Sequence, residues 1–388
     1  MSKIDELIAE FCPDGVSSIQ LDEVAKFSRG QTITKNTSEY GRVPVIGGGQ
    51  KPAYWHSVSN RDCGAITVSG SGAYSGFVSR WDVPIWVSDG FSVDPIENLA
   101  DGNYIFHVLK AKQAELFNLQ RGGGVPHVYS KDVAKMTMQL PPLDVQREIV
   151  SILDKFTQLE AELEAELEAR RVQLRELTEL LIDSAESHGQ ELAFGDLAQV
   201  LRGSSPRPIE KYMSDNPEDL PWIKIGDVSS NSKFVTRTRQ RVSAEGASKS
   251  RLINPGDFIL SNSMSFGRPY ISKIRGCIHD GWLMISDFQD SFNPDYLYYL
   301  LGSNRVQEQF RAQAGTGTVK NLNAEIVKRL KLRVPPMEMQ ARIASVLDSF
   351  EELVSDSDCS IPREIAARRK QFDHYRNKLL TFKELETA

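Results

Sequence analysis

Leu140-Pro141-Pro142-Leu143-Asp144-Val145-Gln146-Arg147-Glu148-Ile149 returns 194 residues later as Val334-Pro335-Pro336-Met337-Glu338-Met339-Gln340-Ala341-Arg342-Ile343. In each copy two prolines end an extended segment and open a helix, the one helical position where proline costs little. Other strings return in the same order on either side. Leu21-Asp22-Glu23-Val24-Ala25-Lys26-Phe27-Ser28-Arg29-Gly30 matches Phe194-Gly195-Asp196-Leu197-Ala198-Gln199-Val200-Leu201-Arg202-Gly203. Ser88-Asp89-Gly90-Phe91 matches His279-Asp280-Gly281-Trp282, and Asn103-Tyr104-Ile105-Phe106 matches Asp295-Tyr296-Leu297-Tyr298. Last, Ala169-Arg170-Arg171-Val172-Gln173 matches Ala367-Arg368-Arg369-Lys370-Gln371. The ends of the unit are alike, while its interior differs and is about 20 residues longer in the second copy. Two copies are too few for a solenoid and suit an internally two-fold object. The chain reads as globule, helix, globule, helix, with boundaries at 1–142, 143–190, 191–334 and 335–388.

After each Pro-Pro pair the apolar spacing turns helical. Ile149, Ile152, Phe156, Leu159, Leu163, Leu167, Leu174, Leu177 and Leu181 recur at three- and four-residue steps, with Glu and Arg on the other faces. About 44 residues at 1.5 Å each predict a rod of roughly 65 Å. The C-terminal copy runs Ile343, Val346, Phe350 and Leu353, breaks near Ser360-Ile361-Pro362, and resumes with Ile365, Phe372, Tyr375, Leu379 and Phe382. A narrow apolar stripe stays dry most simply against its counterpart, and pseudo-two-fold copies pair antiparallel. Within the globules, runs such as Val43-Pro44-Val45-Ile46, Gly64-Ala65-Ile66-Thr67-Val68, Pro84-Ile85-Trp86-Val87-Ser88, Trp222-Ile223-Lys224-Ile225, Asp257-Phe258-Ile259-Leu260 and Trp282-Leu283-Met284-Ile285 are bounded by turn residues and predict strands. Each globule ends in a short helix, Asn103 to Leu116 or Asp295 to Phe310. The expected fold class is α+β: two mostly-β domains separated by two long antiparallel helices forming a coiled-coil spacer, with an internal pseudo-two-fold repeat.

The formal charge of −6 is unevenly spread. Residues 1–142 carry 13 Lys+Arg against 15 Asp+Glu, residues 143–190 carry 5 against 12, residues 191–334 carry 20 against 15, and residues 335–388 carry 8 against 10. The acid lies in the helices and the second globule is basic. Phosphate attraction is a local field, so an acidic chain can still hold DNA with selected surfaces. No apolar run reaches the roughly 18 residues a membrane span needs, and the N-terminus lacks the apolar stretch of a signal peptide, so the expected location is cytoplasmic. Cys12, Cys63, Cys277 and Cys359 are scattered singly and predict neither zinc site nor disulfide framework. The chain has no P-loop, no Glu-x-Lys, no HExxH and no GxSxG, and neither Pro-Pro pair sits in an amino-methyltransferase tetrad. The six histidines are isolated. No catalytic or metal-binding residue is predicted. Two Gly-rich loops, Arg121-Gly122-Gly123-Gly124-Val125-Pro126-His127 and Gly315-Thr316-Gly317-Thr318-Val319-Lys320-Asn321, read either as turns needing positive φ or as backbone that approaches a phosphate.

Three stretches carry a family likeness. They are Met1-Ser2-Lys3-Ile4-Asp5-Glu6-Leu7-Ile8 with Cys12-Pro13-Asp14-Gly15-Val16, the two Pro-Pro-x-x-x-Gln junctions, and Ile361-Pro362-Arg363-Glu364-Ile365-Ala366-Ala367-Arg368-Arg369-Lys370-Gln371-Phe372-Asp373-His374-Tyr375-Arg376-Asn377-Lys378-Leu379-Leu380-Thr381-Phe382. Together they resemble the specificity subunit of type I restriction–modification enzymes, over essentially the whole chain. The central helix departs from the pattern: Leu174-Arg175-Glu176-Leu177-Thr178-Glu179-Leu180-Leu181 replaces the aromatic-rich string and lacks the Ile-Pro interruption. The resemblance implies that each globule is a target-recognition domain reading one half of a split, asymmetric site in double-stranded DNA. It implies helices that set the half-site spacing and dock two methyltransferase subunits bringing S-adenosylmethionine. It also implies motor-endonuclease subunits using ATP and Mg²⁺, and a recognition chain that binds none of these cofactors. Base reading and phosphate grip need Arg, Lys, Asn, Gln, Ser or Thr on loops. The candidates in the first globule are Arg29, Gln31, Lys35, Ser69, Ser71, Tyr74, Arg121 and His127. Those in the second are Arg202, Arg207, Lys224, Arg237, Arg239, Arg241, Asn262, Ser263, Arg268 and Lys320, with Arg237-Thr238-Arg239-Gln240-Arg241 the densest basic string. Two other readings stay open: a fragment of a fused restriction–methyltransferase enzyme, and a coiled-coil scaffold that binds no DNA, against which the basic second globule argues.

Overall fold

A computed structural model of the chain describes residues 2–187, 189–228, 232–262, 266–314, 321–355 and 360–385. Ser263, Lys320, Cys359 and most of the second Gly-rich loop lie outside the described residues. The chain forms two compact units, Met1–Glu162 with Ala366–Ala388, and Leu163–Ile365.

In the first unit four strands form an antiparallel sheet in the order Ala25–Arg29, Gly90–Pro95, Ala65–Ser69, Val78–Trp81. A smaller sheet holds Val43–Ile46 between Tyr54–His56, antiparallel, and Trp86–Val87, parallel. The second unit repeats both sheets. Its main sheet runs Gln199–Arg202, Trp282–Ser286, Phe258–Ser261, Pro269–Ser272, with Phe234–Val235 added in parallel at the edge. Its smaller sheet holds Leu220–Ile223 between Gln240–Val242 and parallel Gly276–Ile278, and is widened by Met213–Ser214 and Arg251–Ile253. These added strands account for much of the extra length of the second copy.

One face of each main sheet packs on helices. Ile66, Val68, Phe91 and Val93 share a core with Tyr104, Ile105, Val108 and Leu109. In the second unit Phe258, Leu260, Leu283 and Ile285 meet Tyr296, Leu297, Leu300 and Leu301. The opposite face covers the smaller sheet through Ile46, Ile85 and Val87 in the first unit, and through a larger set including Ile223, Ile259, Tyr270 and Trp282 in the second. The single helices expected at the end of each globule are pairs: Gly102–Ala111 with Gln113–Asn118, and Pro294–Gly302 with Asn304–Gln313. Buried Ser303 makes the second break. Its backbone is extended, and its hydroxyl donates to the Leu300 carbonyl at 2.7 Å and caps the Val306 N–H at 3.4 Å.

The Pro-Pro-x-x-x-Gln string gains a physical reason. Gln146 and Gln340 are fully buried. Gln146 Oε1 accepts the Asp101 N–H at 2.8 Å, and its Nε2 donates to the Pro141 carbonyl at 2.7 Å. Gln340 does the same with Asn293 at 2.8 Å and Pro335 at 2.8 Å, and also donates to the Ser291 carbonyl at 2.9 Å. Asp101 and Asn293 are N-caps, each accepting two N–H groups of the helix that follows. The glutamine therefore fastens the Pro-Pro turn to the helix that backs the main sheet, and a lone buried amide is tolerated because its polar atoms are paired.

From the Pro-Pro turns run Leu143–Glu186, 44 residues as the spacing predicts, and Met337–Val354; Ile361–Leu379 follows with Pro362 in its first turn. Within the first unit the two helical segments run antiparallel. Gln139 bonds the Phe382 backbone, Phe156 stacks on Tyr375 with centroids 5.6 Å apart, and Glu160 meets Arg369 at 2.6 Å. Within the second unit Leu174, Leu177, Leu181 and Ile182 join the core that contains Ile343, Ala344 and Leu347.

Candidate nucleic-acid interface

Several loops of the first unit meet at one end of its main sheet. Arg29 ends its strand exposed, and the chain then runs along the neighbouring strand, with Gly30 N–H on the Gly90 carbonyl at 2.9 Å and Gln31 N–H on the Val87 carbonyl at 2.9 Å. A side chain at Gly30 would strike the Val87 carbonyl at 2.7 Å, so this close approach requires glycine. Exposed Lys35 sits in the turn closed by Thr34 and Thr37. The Arg121–His127 loop is a tight excursion closed by two backbone hydrogen bonds between Arg121 and His127, at 2.9 and 2.8 Å. Gly122 has φ +115°, the turn function read from sequence, and a side chain at Gly123 or Gly124 would meet only open space. This loop adjoins that of Ser71 and Tyr74 through the Gly72 N–H on the Pro126 carbonyl, 3.0 Å. Ser71 donates its hydroxyl to Asp89 Oδ2, and His127 stacks on exposed Tyr129. Ser69 is buried beneath this end rather than on it, its N–H spent on the Phe77 carbonyl at 3.0 Å.

The matching end of the second unit centres on Asp280. Its main-chain carbonyl accepts Arg202 Nε at 3.2 Å and Asn262 Nδ2 at 2.9 Å. Its carboxylate accepts the Ser205 hydroxyl at 3.0 Å, and Arg207 Nη2 stands 3.7 Å away. Partial burial works against ionisation, but the Ser205 hydroxyl and the nearby His279 and Arg202 outweigh it and hold the carboxyl below the usual aspartate range. His279 faces Asp280, Lys224 and Asp227, and burial pushes its imidazole down. Asp227 in turn accepts the backbone N–H groups of Lys224 at 2.9 Å and Arg239 at 3.3 Å. Arg202, Arg207, Lys224 and Arg239 thus share one neighbourhood.

The basic string does not act as a block. Arg239 and Arg241 line a recess of about 180 Å³, Arg241 also donating to the Asp219 carbonyl at 2.7 Å. Arg237 instead faces a groove shared with Lys233, Asp295, Asp348 and Glu351 on the helical side. Asn262 is buried and serves as a strut for Asp280. Arg268 lies over the Tyr270 ring, 5.6 Å from its centroid, and lines a recess with Phe266, Tyr298 and Gln307. Asp89, Asp280, Ser205, Asp227 and His279 were absent from the expected set. The signal for Asp89, His279 and Asp280 was the repeated Asp-Gly string, legible as a mark of the repeat and as a turn, whereas Ser205 and Asp227 carried none.

The family model of the type I restriction modification DNA specificity domain matches residues 13–169 and again 189–366. The chain belongs to that family. The two matched copies coincide with the repeat read from sequence. Among curated relatives, the type I restriction enzyme EcoR124I/EcoR124II specificity subunit of Escherichia coli is 29% identical over 253 residues, covering 63% of this chain and 61% of that protein's length. A type I restriction enzyme specificity subunit of Haemophilus influenzae is 25% identical over 392 residues, covering 93% of this chain and 94% of that protein. The solved type I S subunit of M. genitalium shares the fold, with TM-score 0.57 and 15% identity over 96% of both chains. A chain solved for complex assembly and conformational transition of the type I R-M system gives TM-score 0.61 and 19% identity, covering 95% of this chain and 98% of that one. A type I specificity chain is a recognition component rather than a catalytic one, and works within a restriction–modification complex. Among the described residues no helix is long and apolar enough to cross a membrane.

Proposed function

We propose that each globule of this specificity chain reads one half of a bipartite, asymmetric DNA site through the loop end of its main sheet. Exposed Arg29, Gln31, Lys35, Tyr74 and Arg121 with half-buried Ser71 and His127 contact one half-site, and Arg202, Arg207, Lys224, Arg239 and Arg241 the other. Arginine and lysine grip phosphate, while the hydroxyl, amide and imidazole groups face base edges. The helices set the half-site spacing and, with the adjoining surfaces, dock two methyltransferase subunits. S-adenosylmethionine enters with those subunits, and ATP and Mg²⁺ with motor-endonuclease subunits, leaving this chain without a cofactor of its own. The observation that carries the reading is the repetition, inside one family member, of the same two-sheet framework with unlike side chains at the same loop end. Unlike loops on like frameworks suit two different half-sites on one duplex. Mapping methylated positions in DNA from cells that carry this chain with its methyltransferase partner tests it. The reading expects a gapped motif with two unlike specified blocks. A continuous motif, or methylation indifferent to sequence, would overturn it.

A further inference from the structure

Both globules place a carboxylate at the same point of the loop end. Asp89 and Asp280 each precede the glycine that leads into the central strand of the main sheet, Gly90–Pro95 or Trp282–Ser286, and those strands are paired on both sides. Each carboxylate is held by a serine from a different loop, Ser71 in one case and Ser205 in the other. Gly48 lets the Ser71 loop close in beside Asp89, since a side chain there would strike the Ser71 carbonyl and come within 3.3 Å of Asp89 Oδ2. The Asp280 side chain is 43% exposed among the cations of its loop end.

A negative charge in this position works against the attraction that the surrounding arginines provide. A carboxylate is an acceptor only, so on DNA it finds a partner where a base edge offers an N–H, the exocyclic amine of cytosine or of adenine. Where the base pair turns a carbonyl oxygen toward it, two acceptors face each other unpaired. The serine hydroxyl fixes one carboxylate oxygen; the other, which in Asp280 stands 3.7 Å from Arg207 Nη2, is the one that reads. The struts of the loop do not need the charge, because Arg202 and Asn262 bond the main-chain carbonyl of Asp280, which survives any side-chain change.

We infer that Asp280, and Asp89 in the other globule, are specificity-determining residues that accept a hydrogen bond from a cytosine or adenine amino group and reject a base pair presenting a carbonyl at that position. The inference rests on the loop ends facing DNA. Asp280→Asn keeps the shape and an acceptor for Ser205 while removing the charge. The full chain, assembled with its methyltransferase subunits, is offered a randomised duplex library and, separately, a duplex lacking the site. The variant relaxes or switches one base pair in one half-site, with discrimination there falling about tenfold or more. The other half-site is unchanged, and binding to the site-free duplex tightens about twofold or more as a repulsive charge is lost. Asp89→Asn does the same in the opposite half-site, and decides alone if the first variant does not fold. Unaltered discrimination at every base pair in a folded variant overturns the inference. The double variant Arg202→Ala with Arg207→Ala separates the two failures. If it weakens binding to all duplexes while Asp280→Asn discriminates normally, only the inference falls; if it too leaves binding unchanged, the DNA-facing reading of this loop end falls with it.

Discussion

Replacing Gln340 by leucine removes a side chain of similar size from a site that is fully buried. Three hydrogen bonds go with it, from the Asn293 N–H at 2.8 Å and to the Pro335 and Ser291 carbonyls at 2.8 and 2.9 Å. Leucine fills the space, so the cavity contribution is small and the cost is that of unpaired backbone groups. The orphaned N–H costs about 1–3 kcal/mol, and the carbonyls, each with a second lone pair, cost less. About 3 kcal/mol in total is expected, and it acts where Asn293 caps the helix Pro294–Gly302. Hydrogen exchange resolves this locally, which matters in a chain with two compact units, where a single unfolding midpoint is ill-defined. Amides of that helix should lose about two orders of magnitude of protection, while those of Gly102–Ala111, fastened by Gln146, keep theirs. Gln146→Leu should reverse the pattern. A loss under about 0.5 kcal/mol, or equal loss in both helices, would refute the reasoning that each glutamine fastens its own globule.

Three further outcomes follow from named contacts. Arg239→Ala should weaken DNA binding by the assembled complex almost equally for all sequences and reduce the slope of log affinity against log salt by about one; a binding series over salt concentration checks it. Burial holds the His107 imidazole below its usual value, against the pull of Asp154 3.1 Å from Nε2 and with Arg376 and Arg80 adding to the downward push. The unfolded chain therefore binds the proton first, so this contribution is whole above about pH 6.5 and is lost as pH falls below it; denaturant midpoints of His107→Gln should change less than those of the parent between pH 7.5 and about pH 5.5. Phe156→Ala removes a half-buried ring that touches Phe372 and Tyr375, and should cost about 2 kcal/mol, whereas Glu160→Ala, which removes the ion pair with exposed Arg369, should cost less than about 1 kcal/mol by the same denaturation measurement.

The repeat was legible because the Pro-Pro turns, the Asp-Gly pair and the helical apolar spacing are local patterns. What fastens them was not: Gln146 meets Asp101 across 45 residues, and no periodicity announces such a contact. Longer strands such as Ala65–Ser69 stand out as β-branched runs, but two-residue strands such as Met213–Ser214 have no alternation to read. The break at Ser303 was missed because the apolar spacing continues through it, and only the cap chemistry separates the two helices. At the candidate site, residue type identified the basic and polar groups but not the way they face. Arg237 and Arg239 are two apart and line different recesses, while Ser69 and Asn262 are polar residues spent inside the fold. The aspartates were passed over because acid is not sought on a DNA-binding surface by charge alone.

The most direct test of two independent readers in one chain is an exchange. Residues 20–140 are replaced by the corresponding globule of a specificity subunit that reads a different sequence, the chimera is assembled with its methyltransferase subunits, and the methylated motif is mapped. One specified block should change while the other block and the gap between them persist. A motif changed in both blocks, or in neither, would contradict the account.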